Sequence, residues 1–368
     1  MRKRRVVILG VTGSIGQSAL KVARDIPDRM EIVGMSAHHN AEALASAAKE
    51  FPNARCVRTD GPDGLERLIE LATLPEADLV LVAIVGTAGL KPALAALKAG
   101  KDLAVASKEI LVMAGEAVMA AARKSGARIL PVDSEHNAIF QCLEGREPSS
   151  VKRLILTCSG GPFRHTPGEE FAAITPELAL RHPTWTMGKK ITIDSATLFN
   201  KALEMIEARW LFGLPISQVE VIVHPQSIIH SMVEFVDGST LAQLSRSDMC
   251  FPIHYAVTWP DRVPNSLKPL DFAELGRLDF EVPRRNDFPA LDLAVEAGTR
   301  GGTLPAVLNA ANEVAVEAFL ARKIRFPKIW DIVARVMEEC PHRDHPDLEQ
   351  LIETDRTARE LASRLTLD

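Results

Sequence analysis

Short apolar, β-branched runs alternate with longer Ala- and Leu-rich stretches of helical period along the first part of the chain. The runs predict strands at Arg5–Leu9, Glu31–Ser36, Arg55–Arg58, Asp78–Ile84, Asp102–Ala106 and Arg128–Val132. The stretches between them predict helices such as Ala41–Glu50, Ala88–Ala99 and Ile110–Lys124. Strictly alternating βα units of this kind build a parallel, doubly wound sheet. Residues 1–148 therefore read as a Rossmann-like α/β domain, with a boundary in Glu144–Ser150. From Val151 the pattern changes, and strands cluster at Val151–Cys158, Lys189–Asp194, Val219–Val223, His230–Val236 and Thr240–Ser245. One strong helix, Ala196–Phe212, sits among them, so residues 149–262 read as an α+β domain with an open-faced sheet. Residues 263–289 are rich in Pro and polar side chains and read as a linker. Helical periods then occupy Ala290–Thr299, Leu304–Arg322, Lys328–Glu339 and Leu348–Leu365, a C-terminal helical bundle over residues 290–368.

Composition adds bounds to this picture. A chain of 368 residues exceeds one ordinary core, which agrees with two or three domains. The mix is that of a globular protein, 46% apolar and 25% charged, and a net charge of −5 gives no reason to expect nucleic acid or an anionic membrane as partner. The five cysteines (Cys56, Cys142, Cys158, Cys250, Cys340) are scattered without metal-ligand spacing, so a reducing cytoplasm is the expected location. The basic start, Met1-Arg2-Lys3-Arg4-Arg5, faintly imitates a signal peptide, but its apolar run breaks at Gly10. No stretch is long enough to span a bilayer.

Candidate chemistry gathers at the ends of the predicted strands. In the run Ile129–Val132, a buried strand ends in Asp133-Ser134-Glu135-His136. Open α/β sheets bind ligands at the carboxyl ends of their strands, and paired carboxylates there suit Mg²⁺ or Mn²⁺. A simple helix cap by Asp133 or Ser134 is the competing reading. Gly10-Val11-Thr12-Gly13-Ser14-Ile15-Gly16 lies at the first strand-to-helix turn, where backbone N–H groups can approach a dinucleotide pyrophosphate. The next strand ends in Ser36-Ala37-His38-His39-Asn40, without the carboxylate that an NAD site places against the ribose 2′-OH, which favours NADP(H). Lys108, in Ser107-Lys108-Glu109, falls on the same rim and can either stabilise an oxyanion or pair with Glu109.

Farther along, Ile193–Thr197 reads as a strand running into a helix, with Asn200, Lys201 and Glu204 on one helical face. Ser195, Asn200 and Lys201 resemble a phosphate cradle, and Glu204 is a candidate third carboxylate; an N-cap with a Lys201–Glu204 surface pair is the alternative. Ser159-Gly160-Gly161 ends another strand, where Gly-Gly permits close backbone approach or a plain tight turn. His182-Pro183-Thr184-Trp185-Thr186-Met187-Gly188 reads as a loop that closes over substrate, or as a Trp anchor. His224-Pro225-Gln226-Ser227 can line the same cleft or serve structure.

Taken in order, these motifs are similar to those of the 1-deoxy-D-xylulose 5-phosphate reductoisomerase family. The resemblance rests on Gly10–Gly16, Ser107–Glu109, Val132–Gln141, Ser159–Phe163, Asp194–Thr197, Asn200–Glu204, Glu207–Phe212, His224–Ser227 and Leu308–Glu313, and covers nearly the whole chain. It implies an NADPH-dependent, Mg²⁺- or Mn²⁺-dependent enzyme of the non-mevalonate isoprenoid pathway acting as a homodimer on a sugar phosphate. It implies Asp133, Glu135 and Glu204 as metal ligands and Lys108, Glu135 and His182 as the catalytic set. Ser134, Glu135, Ser159, His182, Ser195, Asn200, Lys201 and Glu204 would meet the substrate. Thr12, Gly13, Ser14, Ile15, Asn40, Glu109 and Gly188 would line the NADPH site, to which the reading of the strand ends adds His38, His39 and Ser107, and the Trp185 loop would be the flap. Two positions depart from the family pattern: His38-His39 stand where Gly-Lys or Gly-Arg is common, and Ser107 where Asn is usual.

The implied chemistry is isomerisation of 1-deoxy-D-xylulose 5-phosphate by a retro-aldol or a direct α-ketol route. Hydride reduction then gives 2-C-methyl-D-erythritol 4-phosphate. A Lewis-acid cation and Lys108 would stabilise the enolate of the retro-aldol route. Another two-domain NADP-dependent dehydrogenase accounts for the first domain alone, and a dinucleotide-sensing binding protein would need no cation site.

Overall fold

The computed structural model describes residues 3–185 and 187–367, so Met1, Arg2, Asp368 and, in the predicted loop, Thr186 lie outside the described residues. Among the described residues, six strands form the first sheet: β1 (Arg4–Leu9), β2 (Met30–Ala37), β3 (Arg55–Arg58), β4 (Leu79–Val82), β5 (Asp102–Val105) and β6 (Ile129–Pro131). Their order is β3-β2-β1-β4-β5-β6 and every pairing is parallel. This is the doubly wound order, and its direction reverses between β1 and β4, the place where such sheets bind dinucleotides. The predicted fold class is therefore borne out. Apolar strand residues such as Val6, Ile8, Leu79 and Leu81 are fully buried because helices cover both faces.

The chain divides into two compact units. The first contains residues 1–110, 116–140 and 248–269. Its last segment carries the helix Cys250–Thr258, whose Cys250, Ile253, Ala256 and Val257 join the core formed with Leu20, Ala23 and Leu130. Residues 248–262 thus pack with the sheet rather than with the domain expected over 149–262. Their apolar face finds its cover on the helix Ser14–Asp25 and on β6.

The second unit contains residues 111–115, 141–247 and 270–368. Here β7 (Val151–Cys158), β8 (Val219–Val223), β9 (Ile229–Phe235) and β10 (Thr240–Leu244) form a mixed sheet in the order β10-β9-β7-β8. β7 runs parallel to β8 and antiparallel to β9. The helix Phe199–Phe212 packs on this sheet and on the helix Ala290–Arg300. The predicted linker holds a single helical turn, Phe272–Leu275, and one bridge from Glu281 to Val223. The terminal helices Leu304–Leu320, Lys328–Glu339 and Leu348–Leu365 stand close to their expected limits, the last opened by an Asp347–Gln350 capping box. An aromatic cluster of Phe163, Phe171, Phe288, Phe326 and Trp330, with ring centroids 5.1–5.9 Å apart, fills the base of this unit.

One predicted strand is corrected. Lys189–Asp194 is helical, part of a helix Lys189–Thr197 that ends at Leu198 in the left-handed region (φ 62°) before Phe199–Phe212 begins. The β-branched Ile191, Thr192, Ile193 and Thr197 suggest a strand by propensity, but tertiary burial decides. Thr192 and Thr197 hydroxyls donate back to the carbonyls of Gly188 and Ile193, and Lys190 pairs with Asp194 one turn away at 2.7 Å.

Candidate active site

In the first unit, the Gly-rich turn connects β1 to the helix Ser14–Asp25. Gly10 holds φ 93°, and a Cβ there would lie 2.6 Å from the Ala83 carbonyl oxygen; one at Gly16 would lie 2.4 Å from that of Val11. Gly13 is the N-cap and no side chain caps the helix, while nothing comes nearer than 3.5 Å to the Cβ it lacks. A helix N-terminus approached only by glycine backbone fits a pyrophosphate. Thr12, Ser14 and Ile15 belong to this turn. His38, His39 and Asn40 follow β2, one strand away; all three are exposed, and Asn40 Oδ1 accepts from Ala43 N at 2.9 Å to cap the next helix.

On the same rim, Ser107, Lys108 and Glu109 are buried after β5. Ser107 Oγ donates to the Ile84 carbonyl, which ties this turn to the one after β4. Lys108 Nζ is buried and lies 2.8 Å from Asp133 Oδ2, a carboxylate at the end of the neighbouring strand, so it is not a solvated surface lysine. Asp133 also accepts from Glu135 N at 3.3 Å, which makes it both helix cap and candidate ligand, and Ser134 Oγ donates to Glu135 Oε2 at 2.6 Å. An ammonium at 6% exposure beside two clustered carboxylates is unusual on an ordinary rim and suits a cation or an anionic intermediate.

In the second unit, a hydroxyl–imidazole group assembles from three elements. His182 Nε2 lies 3.1 Å from Ser159 Oγ and 3.0 Å from Ser195 Oγ. His182 Nδ1 accepts from the backbone N–H of Trp185 at 2.9 Å and of Thr184 at 3.2 Å. An imidazole nitrogen that accepts has no proton, so Nε2 carries it and points at the two hydroxyls. Burial pushes the His182 pKa down to about 4, and the ring is a neutral donor near pH 7. Gly160 and Gly161 both hold positive φ, and a Cβ on Gly161 would lie 2.8 Å from the Ser195 carbonyl oxygen, so glycine there lets the two serines approach.

The helix Phe199–Phe212 completes the group. Lys201, Glu204 and Glu207 are each 2% exposed or less, although the sequence suggested a polar face. Glu204 accepts from Asn200 Nδ2 at 2.6 Å and from Lys201 Nζ. A surface Lys–Glu pair is excluded by this burial; charges held inside need a strong reason, and phosphate and cation binding supply one.

Sequence reasoning missed three side chains in this unit. Asn312, fully buried, donates to Asp194 Oδ1 at 2.8 Å, next to Ser195. Trp330 Nε1 donates to the Thr197 carbonyl at 3.1 Å, satisfying an orphan acceptor at the helix break. His230, buried on β9, lies with its ring 6.4 Å from that of Trp185, and burial lowers its pKa to about 4. Only the Leu308–Glu313 motif hinted at Asn312. His224, by contrast, is structural: Nδ1 meets the Asp279 carbonyl at 2.9 Å and Nε2 accepts from Ile228 N at 3.2 Å.

Comparison with known proteins decides the family. Residues 6–63 and 54–115 match 1-deoxy-D-xylulose 5-phosphate reductoisomerase, residues 129–212 its C-terminal domain, and residues 244–361 the DXP reductoisomerase C-terminal domain. The chain is 51% identical over 381 aligned residues to the 1-deoxy-D-xylulose 5-phosphate reductoisomerase of Symbiobacterium thermophilum, covering 98% of each. The chain belongs to the 1-deoxy-D-xylulose 5-phosphate reductoisomerase family. The Pelotomaculum thermopropionicum reductoisomerase is 48% identical with 99% of each covered. The solved reductoisomerase of Zymomonas mobilis, a complex with NADPH, superimposes with a TM-score of 0.91 at 43% identity and 99% coverage of both. A second solved reductoisomerase, with NADPH, fosmidomycin and magnesium, gives 0.90 at 39% identity, covering 99% of this chain and 98% of that one.

Proposed function

We propose that this chain carries out the NADPH- and divalent-metal-dependent conversion of 1-deoxy-D-xylulose 5-phosphate to 2-C-methyl-D-erythritol 4-phosphate, with Asp133, Glu135 and Glu204 holding the cation. The observation that carries this reading is near-half identity, over almost the full length, to reductoisomerases. When bound, the cation supplies Lewis acidity and NADPH supplies hydride. Thr12, Gly13, Ser14 and Ile15 receive the pyrophosphate end of NADPH, and Asn40, Ser107, Glu109 and Gly188 complete its contacts. Ser159, Ser195, Asn200 and Lys201 hold the substrate phosphate. Lys201 is paired with Glu204; Lys201 would hold the substrate phosphate and Glu204 the cation, each charge then meeting its own ligand. Lys108, paired with Asp133 in the same way, places its ammonium where negative charge develops on the reacting oxygens. Ser134 and Glu135 orient the substrate hydroxyls. His182, neutral and protonated on Nε2, donates a hydrogen bond without adding charge. The loop bearing Trp185 closes over the substrate and excludes water.

Manganese as an alternative to magnesium follows from the all-carboxylate ligand set. A homodimer and a cytoplasmic location belong to the same proposal; the five free cysteines support a reducing compartment. Among the described residues no helix is long and apolar enough to cross a membrane. A net charge of −5 argues against nucleic acid as a partner.

The test is NADPH absorbance decay with 1-deoxy-D-xylulose 5-phosphate, first with Mg²⁺ and then with EDTA. Metal-dependent oxidation is expected. Absence of decay in folded protein with either Mg²⁺ or Mn²⁺ overturns the substrate assignment.

A further inference from the structure

The strands of the first sheet are parallel, so they all enter along one edge and leave along the other, and the Gly-rich turn, Lys108 and Asp133 lie where strands leave. The entering edge carries a second concentration of charge. Lys3 and Arg4 stand at the start of β1, Arg29 just before β2, Asp78 before β4, Asp102 at the start of β5 and Arg128 just before β6. β1 has six residues, which at about 3.3 Å each puts this edge roughly 20 Å from the Gly-rich turn. A cavity of about 320 Å³ opens here, lined by Lys3, Arg4, Arg29, Asp78, Trp259 and Asp261, with Val257 on its wall. All of these residues belong to the first unit.

Most of the charge around the cavity is matched. Arg4 Nη2 donates to Asp102 Oδ2 at 2.7 Å and its Nη1 to the carbonyls of Ala256 and Val257. Arg29 Nη2 donates to Asp261 Oδ2 at 2.6 Å. Asp78 accepts from Nε and Nη2 of Arg5 at 3.1 and 2.9 Å, and Glu31 and Glu76, which also act on Arg5, do not line the cavity. Lys3 and Arg128 remain. Both are exposed, and neither forms an ion pair with a carboxylate among the described residues; Asp102 accepts only the backbone N–H of Arg128, at 2.9 Å. The Arg128 guanidinium lies 4.9 Å from the centroid of the Trp259 ring, which holds it beside the cavity, and its charge acts on Arg4. Two unmatched cations at one cavity, in a chain of net charge −5, draw a small anion to that place.

We propose that this cavity binds a phosphorylated small molecule at a site separate from the reaction, with Lys3 and Arg128 holding the phosphate and Trp259 and Val257 flanking its organic part. A phosphate monoester is largely a dianion above pH 7 and matches the two cations in charge. The ammonium and the planar guanidinium supply charge-assisted donors to its oxygens. The volume lies within the range of metabolite pockets. Occupancy ties the entrance of β1 to the end of the helix Cys250–Thr258 and stabilises the first unit by mass action.

The experiment is calorimetric titration of the full chain with phenyl phosphate and with inorganic phosphate at pH 7.5 and low salt. It uses the wild type, the double variant Lys3→Gln with Arg128→Gln, the charge-keeping double variant Lys3→Arg with Arg128→Lys, and Lys201→Ala, which removes the phosphate cradle of the second unit. Phenyl phosphate binding is expected to survive Lys201→Ala, to weaken about tenfold or more in the Gln pair, and to stay within about threefold in the charge-keeping pair. Added KCl should weaken it. Both substituted side chains are exposed, so the Gln pair without ligand should melt within about 2 °C of wild type, and loss of binding is then not loss of fold. Tighter binding of phenyl phosphate than of inorganic phosphate supports an organic phosphate as occupant; equal binding overturns that part and leaves free phosphate. Binding that disappears in Lys201→Ala and is unchanged in the Gln pair overturns the proposal, as does the absence of binding in the wild type.

Discussion

Replacing Asn312 tests how the terminal helices hold the phosphate cradle. Asn312 is 0% exposed and donates at 2.8 Å to Asp194, itself 2% exposed and adjacent to Ser195. A hydrogen bond to a buried carboxylate contributes about 1.5–3 kcal/mol, and truncation to alanine leaves a small cavity costing about 1 kcal/mol more. Asn312→Ala should therefore lose about 3 kcal/mol, a fall in Tm of about 6 °C at roughly 2 °C per kcal/mol. Asp194 also carries the Lys190 pair at 2.7 Å, so the helix Lys189–Thr197 should loosen rather than unfold, and KM for the sugar phosphate should rise several-fold through Ser195. Asn312→Asp keeps the volume and sets a second carboxylate against the first. Its destabilisation should be larger at pH 8 than at pH 5, where one of the pair takes a proton. Thermal denaturation at both pH values, referenced to wild type at the same pH, reads this directly. An alanine variant within about 1 °C of wild type with unchanged KM, or an aspartate variant indifferent to pH, refutes the reasoning.

Three further outcomes follow from the site. Glu204→Gln should lower metal-dependent turnover by on the order of 100-fold or more while NADPH binding, measured by fluorescence, stays within about twofold; undiminished turnover removes Glu204 from the ligand set. Lys201→Ala should raise KM for the phosphorylated substrate about tenfold with a smaller change in kcat, and an unchanged KM places the phosphate elsewhere. His230 has a folded pKa of about 4 against an ordinary value of 6.5, so the unfolded chain binds its proton more readily. The stability it supports is complete above pH 6.5 and is lost as pH falls toward 4, about 2 kcal/mol by pH 5. Denaturant unfolding at pH 7 and 5 should show that slope, and His230→Leu should reduce it.

Much of the first unit was legible because its signals are local. β1, β4 and β5 are buried on both faces and so appear as unbroken apolar runs, and Gly10 and Gly16 mark a turn where a Cβ would collide with backbone. The carboxylates Asp133 and Glu135 stand out for the same reason: they follow a strand directly. The helix Lys189–Thr197 was not legible, because its β-branched residues state one preference while burial of Ile193, Asp194 and Ala196 enforces another. Nor could the sequence assign Asn312 or Trp330, whose partners Asp194 and Thr197 lie 118 and 133 residues away.

The sequence alone determined the alternation of strands and helices, the phosphate-binding turn and the supply of carboxylates, hydroxyls and amines, because each depends on neighbours within a few residues. Tertiary structure decided which of those groups are withdrawn from water. Lys108 is buried against Asp133, Lys201 and Glu204 are buried together instead of solvated, and His182 is neutral with its proton on Nε2. Charge state, tautomer and pairing depend on burial and on partners brought from distant positions, and only the folded chain fixes those.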